Sequence, residues 1–341
     1  MIVLGNGKKT NQNQKKTKVS ETRMHAQAIQ SLAAAINQNI SRVIYGKKDK
    51  IDLILCALLC SGHVLLDDIP GTGKTSLAKA LARSISSEED AFRRIQFTPD
   101  LLPSDITGIH YYNQKENEFI FRRGPLFANI IIADEINRTT PRTQSALLEC
   151  MEEGQTTIDG ETFVLPKPFF IIATQNPIES QGTFPLPEAQ IDRFFMRLSL
   201  GYPAQSEEEA ILDGHIKSSP LHTLAPVCTA EDILTAQAAV RDIHLSASVR
   251  NYIVRLAKTT RESDRLQLGI SPRASLALAH ASQAWAAMHG REYVLPDDVK
   301  EMVIPVLAHR VITKMQTTQR SAQTAETILA EIMAATPAPI A

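Results

Sequence analysis

Residues 63–76, HVLLDDIPGTGKTS, join a short apolar run to a glycine-containing loop and then to the helical pattern SLAKALARSI. Val64 to Leu66 suit a buried parallel strand, and Asp67 to Gly73 form the loop. A polyphosphate must be held by backbone N–H groups pointing inward. Gly71 and Gly73 allow that approach because they carry no Cβ, and the start of the following helix adds positive dipole. Lys74 can then reach the β- and γ-phosphates, while the Thr75 hydroxyl can ligate Mg²⁺. The phosphate-binding set is therefore Pro70, Gly71, Thr72, Gly73, Lys74, Thr75 and Ser76. One position departs from G-x-x-x-x-G-K-[ST]: the pattern wants Gly at 68, and the chain has Asp68.

A second run, Asn129 to Glu135 (NIIIADE), reads as a strand buried on both faces with two carboxylates at its C-terminal end, where ligands collect in open α/β sheets. Asp134 would hold Mg²⁺ directly or through water, and Glu135 would orient a water for attack on the γ-phosphorus. Phe169 to Thr174 (FFIIAT) is another such strand, followed by Gln175 and Asn176. Asn176 could hydrogen-bond the attacking water or the γ-phosphate, or, standing before Pro177, merely shape a turn. Pro187 to Phe194 reads as a short helix whose end carries Arg193, placed to point toward a neighbouring subunit's nucleotide, and MRLSL closes the sheet.

At 341 residues the chain has room for two domains of about 100–200 residues each. A net charge of -1 supplies no field that would draw it to nucleic acid or an anionic membrane, which argues against sequence-specific nucleic-acid binding. The Lys-, Asn- and Gln-rich segment Lys8 to Lys18 reads as a disordered tail. MIVLG is too short for the core of a signal peptide, and no unbroken apolar run of about 18 residues occurs. The expectation is a cytoplasmic protein without a membrane span. Cys56, Cys60, Cys150 and Cys228 form no C-x-x-C pair, and no H-E-x-x-H occurs, so reduced thiols and no structural metal are expected.

Around these motifs the chain reads as follows. Glu21 to Gln38 is an amphipathic helix, followed by RVIYG, in which Val43 and Ile44 could face an adenine or simply pack. Lys50 to Cys60 is a second helix. Arg94 to Thr98 is a strand, and PDLLPSDITG is a proline-containing loop. Tyr111 to Arg123 is an inserted hairpin, Arg142 to Glu153 a helix stopped by Gly154, and TTIDGETFVL a second hairpin turning at Asp159-Gly160. From Ala204 helical segments follow one another: Glu207–Lys217, Ala230–Ile243, Ala247–Glu262, Pro272–Met288, Asp297–Ile312 and Gln319–Ala334, with a strand signal only at Glu292 to Leu295. Ser271 and Pro272 start the fourth of these well. Arg273 in its first turn opposes the helix dipole, which favours a functional use. Pro305 is expected to kink its helix.

With these residues assembled, the chain resembles the MoxR family of AAA+ ATPases from about Met24 to Met333. DDIPGTGKT, GPLFANIIIADEINRTTPRTQSALLECMEE, ATQNP, GTFPLPEAQIDRF and SPRA carry the resemblance, and the family often has Asp where Asp68 stands. The resemblance implies an α/β fold, a P-loop AAA+ core with a parallel sheet and inserted hairpins, followed by an all-α lid. It implies a basic tail over 1–22, the core over 23–203, the lid over 204–335 and a flexible end over 336–341. By it, Lys74 and Thr75 belong to Walker A, Asp134 and Glu135 to Walker B, Asn176 to sensor 1, Arg193 to the arginine finger and Arg273 to sensor 2. Val43, Ile44 and Gly46 match the adenine-contacting segment. ATP and Mg²⁺ are the implied cofactors. A homo-oligomeric ring, a hexamer, is implied, with a client protein and a von Willebrand factor A domain protein as partners. Rival readings are a small-molecule kinase, a nucleic-acid motor and a nucleotide switch or scaffold with little hydrolysis.

Overall fold

The computed structural model describes residues 25–86, 92–177, 182–217, 220–314 and 318–339. The basic tail expected over 1–22 lies outside them. The chain opens with helix α1 (25–41), α2 (Lys48–Leu59), β1 (Val64–Asp67), α3 (Lys74–Ser84), β2 (Ile85–Ser86), β3 (Phe92–Gln96) and α4 (Pro103–Thr107). Then come the hairpin β4 (Gly108–Asn113) and β5 (Glu118–Arg123), β6 (Ile130–Asp134), α5 (Pro141–Glu153), the hairpin β7 (Gln155–Ile158) and β8 (Glu161–Val164), β9 (Phe170–Gln175), α6 (Glu188–Ile191) and β10 (Met196–Leu198). The rest is α7 (Gln205–Lys217), β11 (Cys228–Thr229), α8 (Ala230–Val240), α9 (Ala247–Arg261), β12 (Leu266–Leu268), α10 (Pro272–Met288), α11 (Pro296–Leu307), β13 (Ile312–Thr313) and α12 (Thr318–Ala335).

Five strands form one parallel sheet in the order β10-β1-β9-β6-β3. Side chains alternate across it, as the two-residue period of a strand requires. Val64, Leu66, Ile130 and Ile132 face one apolar cluster with α1, α2, α3 and the helices after residue 204. Leu65, Ile131, Ala133 and Ile171 face a second cluster with α5 and the two hairpins. Both faces are covered, which is why these strands read as continuous apolar runs rather than alternating ones.

The hairpins form as their turns dictate. Asp159 and Gly160 both take positive φ, 51° and 86°, the two-residue turn that matches strand twist. They also pack on each other: the Phe121 and Phe163 rings stack at 4.2 Å, and His110 Nδ1 lies 2.9 Å from Asp159.

Several local expectations need correction. The proline loop contains α4, in which Pro103 occupies the first turn and the Asp105 carboxylate accepts from the Leu102 N–H at 2.8 Å. The helix before Arg193 ends at Ile191, so Arg193 sits on the turn beyond it. No strand forms over 292–295 beyond one bridge, His244 to Tyr293. The antiparallel pair in this region is instead β12 with β13, short segments whose pairing is long-range. Pro305 lies inside α11, where it supplies no N–H to the carbonyl of Glu301. The start of the expected flexible end is held down: Arg255 donates to the Pro337 carbonyl at 2.8 Å, and Ala338 packs against the core.

Candidate active site

The loop after β1 and the carboxylates after β6 meet at one end of the sheet, with β9 between their strands. Gly71 and Gly73 both adopt φ of 86°, a region that costs an L-residue about 1–2 kcal/mol. A Cβ built on the exposed Gly71 would meet nothing within 4 Å, so its positive φ rather than crowding is what calls for glycine there. Gly73 caps α3, whose first-turn N–H groups lack intrahelical partners and are available to an anion. Lys74 Nζ donates to the Asp68 and Ile69 carbonyls at 2.9 and 2.7 Å. Burial lowers its pKa, opposed by the charges of Asp68, Asp134, Glu135 and Asp67. A phosphate would therefore find a partly dehydrated ammonium already aimed by the loop. Thr75 and Ser76 follow on the first turn of α3.

Asp68 explains its own departure from the glycine pattern. Its buried carboxylate accepts from Ser199 Oγ at 2.8 Å, Leu200 N at 2.6 Å and Gly201 N at 3.1 Å. The phosphate loop is thereby anchored to the segment that leaves the sheet and enters α7. Asp67 beside it pairs with Arg197 on β10.

Glu135 takes a left-handed backbone, φ 58° and ψ 49°, an uncommon conformation for a non-glycine residue and one that clusters at functional sites. Thr174 on β9 stabilises it. Its Oγ1 accepts from Glu135 N at 2.9 Å and donates to Asp134 Oδ1 at 3.2 Å, so one hydroxyl ties the Glu135 backbone to the Asp134 carboxylate. Asp134 Oδ2 also accepts from Arg94 Nε at 2.7 Å, and Glu135 Oε2 from Gln96 at 2.8 Å, with Arg138 at 3.1 Å. Thr174, Arg94 and Gln96 were not singled out in the sequence, although the parallel register that sets Gln96 opposite Asp134 follows once β3 and β6 are recognised as neighbours. Asn176 directly follows β9 and is buried. A group of Thr75, Asp134 and phosphate oxygens suits Mg²⁺, which favours few carboxylates plus substrate oxygens over a protein cage. Among the described residues there is no cluster of three or more His, Cys, Asp or Glu that could form such a cage.

Val43 to Gly46 lie beside the phosphate loop. The Ile44 side chain is the neighbour nearest a Cβ on Gly73, and a Cβ on Gly46 would overlap the Glu207 carboxylate of α7. The segment is thus sandwiched between the phosphate loop and the first helix after the sheet.

Arg193 and Arg273 gather elsewhere. Both meet Glu152 near the end of α5, Arg193 Nε at 3.4 Å and Arg273 Nη1 at 3.1 Å. This pair also neutralises locally the cation that opposes the α10 dipole. Their position follows from His63, which precedes β1: its Nε2–H donates to Met151 O at 3.0 Å, and its carbonyl accepts from Phe195 N at 2.8 Å. Residues 151–152 and 193–195 therefore flank the N-terminal edge of the sheet, whereas the phosphate loop leaves the C-terminal edge. The length of β1, about 10 Å at 3.3 Å per residue, separates the two.

Comparison with known proteins agrees with this architecture. Residues 63–196 match the ATPase family associated with various cellular activities (AAA), and residues 258–332 match the AAA lid domain. The chain is 50% identical to protein YeaC of Bacillus subtilis over 89% of its length and 93% of the relative's. It is 40% identical to chaperone MoxR1 of Mycobacterium tuberculosis over 84% of its length and 77% of that protein's. The crystal structure of a proposed ATPase from Cytophaga hutchinsonii, 35% identical, superimposes with a TM-score of 0.81 over 92% of this chain and 97% of its own. Among the described residues, no helix is long and apolar enough to cross a membrane.

Proposed function

The chain belongs to the MoxR family of AAA+ ATPases, and on that premise we propose that it hydrolyses ATP at subunit interfaces to remodel or mature a client protein. The observation that carries the reading is the Thr174 hydroxyl, which ties the Glu135 backbone to the Asp134 carboxylate at the end of the sheet from which the phosphate loop leaves.

In this reading Gly71, Gly73 and the first turn of α3 cradle the phosphates, Lys74 turns from the loop carbonyls to the γ-phosphate, and Val43 to Gly46 contact adenine. Mg²⁺, held by Thr75 and Asp134, would supply charge neutralisation for the phosphates. Glu135 orients the attacking water, and Asn176 fixes it against the γ-phosphate. Arg193, remote from its own loop, stabilises transition-state charge on the neighbouring subunit's nucleotide, and Arg273, on the same Glu152, faces the same interface. That requirement is what a closed ring, a hexamer in our reading, supplies.

The core over 23–203 and the helical lid over 204–335 are the two working parts, and closure of one on the other would transmit force. The paired hairpins are the client-facing surface in this proposal: Tyr111, Tyr112 and Phe119 are exposed on the first. A von Willebrand factor A domain protein is the partner we propose to present the client.

The test is Glu135→Gln. The variant is expected to bind ATP with ordinary affinity and to turn it over about 100-fold more slowly, since only the water-positioning group is lost. Unchanged turnover would remove the role given to Glu135.

A further inference from the structure

The turn that carries Arg193 is gripped by the lid of its own chain. Arg310 ends a short 3₁₀ turn, Ala308–Arg310, after α11, and its side chain is 3% exposed. Its Nε donates to Asp192 Oδ1 at 2.8 Å. Its Nη2 donates to the Asp192 carbonyl at 3.2 Å and the Phe194 carbonyl at 2.8 Å. Its Nη1 donates to Phe195 O at 3.4 Å and to Val306 O, on its own helix, at 2.8 Å. The acceptors at 192, 194 and 195 bracket Arg193. The preceding residue adds to the grip, since His309 Nε2–H donates to Phe194 O at 3.0 Å. Burial drives the His309 pKa well down, so the imidazole is neutral and the contact is an ordinary hydrogen bond.

A buried guanidinium is costly, and an apolar side chain could fill the same volume at the seam. The rigid fork is spent instead on the backbone of one turn, a task for which guanidinium geometry is suited and a lysine ammonium is not.

We propose that Arg310 is a positioning residue for Arg193: it fixes the backbone from which the finger projects, so that the finger's reach follows the stance of the lid. The proposal rests on Arg193 acting in trans. Lid movement in one subunit then sets the activity of the adjacent site rather than its own.

Arg310→Lys keeps the charge and loses the fork. Its turnover in the full-length assembly is expected to fall about 100-fold, the scale of an ångström of misplacement, with nucleotide affinity within about twofold. Mixing discriminates the mechanism. Excess Glu135→Gln subunits are inactive but carry an intact finger, so they should restore turnover at the Glu135-bearing sites of the Arg310→Lys subunits, as they should for Arg193→Ala. Restoration of Arg193→Ala but not of Arg310→Lys would overturn this inference and leave the trans reading intact. Restoration of neither would overturn the trans reading and this inference with it. Wild-type turnover in Arg310→Lys would overturn the inference alone. Should that variant fail to assemble, Asp192→Asn removes the charged partner at nearly the same shape, and the same three outcomes apply.

Discussion

Replacing Thr174 with Val keeps the shape of the side chain and removes the hydroxyl that links Asp134 and Glu135. Two bonds are lost, one from Glu135 N at 2.9 Å and one to Asp134 Oδ1 at 3.2 Å. The first leaves a part-buried N–H without its acceptor, about 1–3 kcal/mol, and the second is charge-assisted, also about 1.5–3 kcal/mol. Because neighbouring terms do not add, and Asp134 keeps Arg94, a net loss of stability of about 2–4 kcal/mol is expected. Activity should suffer more than stability. The left-handed backbone at Glu135 costs about 1–2 kcal/mol, and with its anchor gone it can relax, moving the carboxylate off the water path. A turnover loss of about 100-fold, with nucleotide affinity nearly unchanged, corresponds to a displacement of about an ångström. Steady-state hydrolysis, fluorescent-nucleotide binding and urea unfolding of Thr174→Val measure the three quantities. Thr174→Ser restores the hydroxyl and should recover most of the rate. A Val variant that turns over like wild type, or a Ser variant as slow as Val, would refute the reasoning.

Two further outcomes follow from buried groups. Asp68→Ala removes the acceptor of three donors at 199–201, and stability should fall by about 2–4 kcal/mol, with ATP affinity falling because the loop loses its tether to the segment entering α7. An unaltered urea midpoint would contradict the anchoring role. His63, fully buried with both ring nitrogens used, has its pKa lowered by burial from 6.5 to about 4. The unfolded chain then binds the extra proton between those values. The stability is therefore present above pH 6.5 and is lost on acidification, about 2 kcal/mol by pH 5 and about 3 kcal/mol in all. His309, shifted the same way, adds to the loss. Urea unfolding of His63→Gln between pH 7.5 and 5 should show a shallower slope than wild type, and parallel slopes would argue against it.

What the sequence made legible is what depends on local pattern. The apolar runs at 64–66, 130–133 and 170–173 are strands because a sheet covered on both faces tolerates no polar alternation, and the Asp159-Gly160 turn follows from its two positive φ values. The phosphate loop was legible because its glycines and lysine act within one loop. What remained hidden depends on residues far apart in the chain. Glu152 lies 121 positions from Arg273, and Arg310 lies 118 from Asp192, so no periodicity could pair them. The short pair β12 and β13 was invisible for the same reason, as was the use of Asp68, whose partners stand at the exit from the sheet. The helix end was read two residues late, at Arg193 rather than Ile191, because PEAQIDRF keeps a helical pattern after Ile191. There Arg310 takes the Asp192 and Phe194 carbonyls that further helix would need.

The central claim is that each active site is completed by the next subunit. ATP turnover per chain, measured with Mg²⁺ across a range of protein concentrations and alongside particle mass with and without nucleotide, tests it most directly. Turnover per chain is expected to rise as the ring assembles, because Arg193 stands at the sheet edge opposite its own phosphate loop. Full turnover from a monomer, independent of concentration, would contradict it.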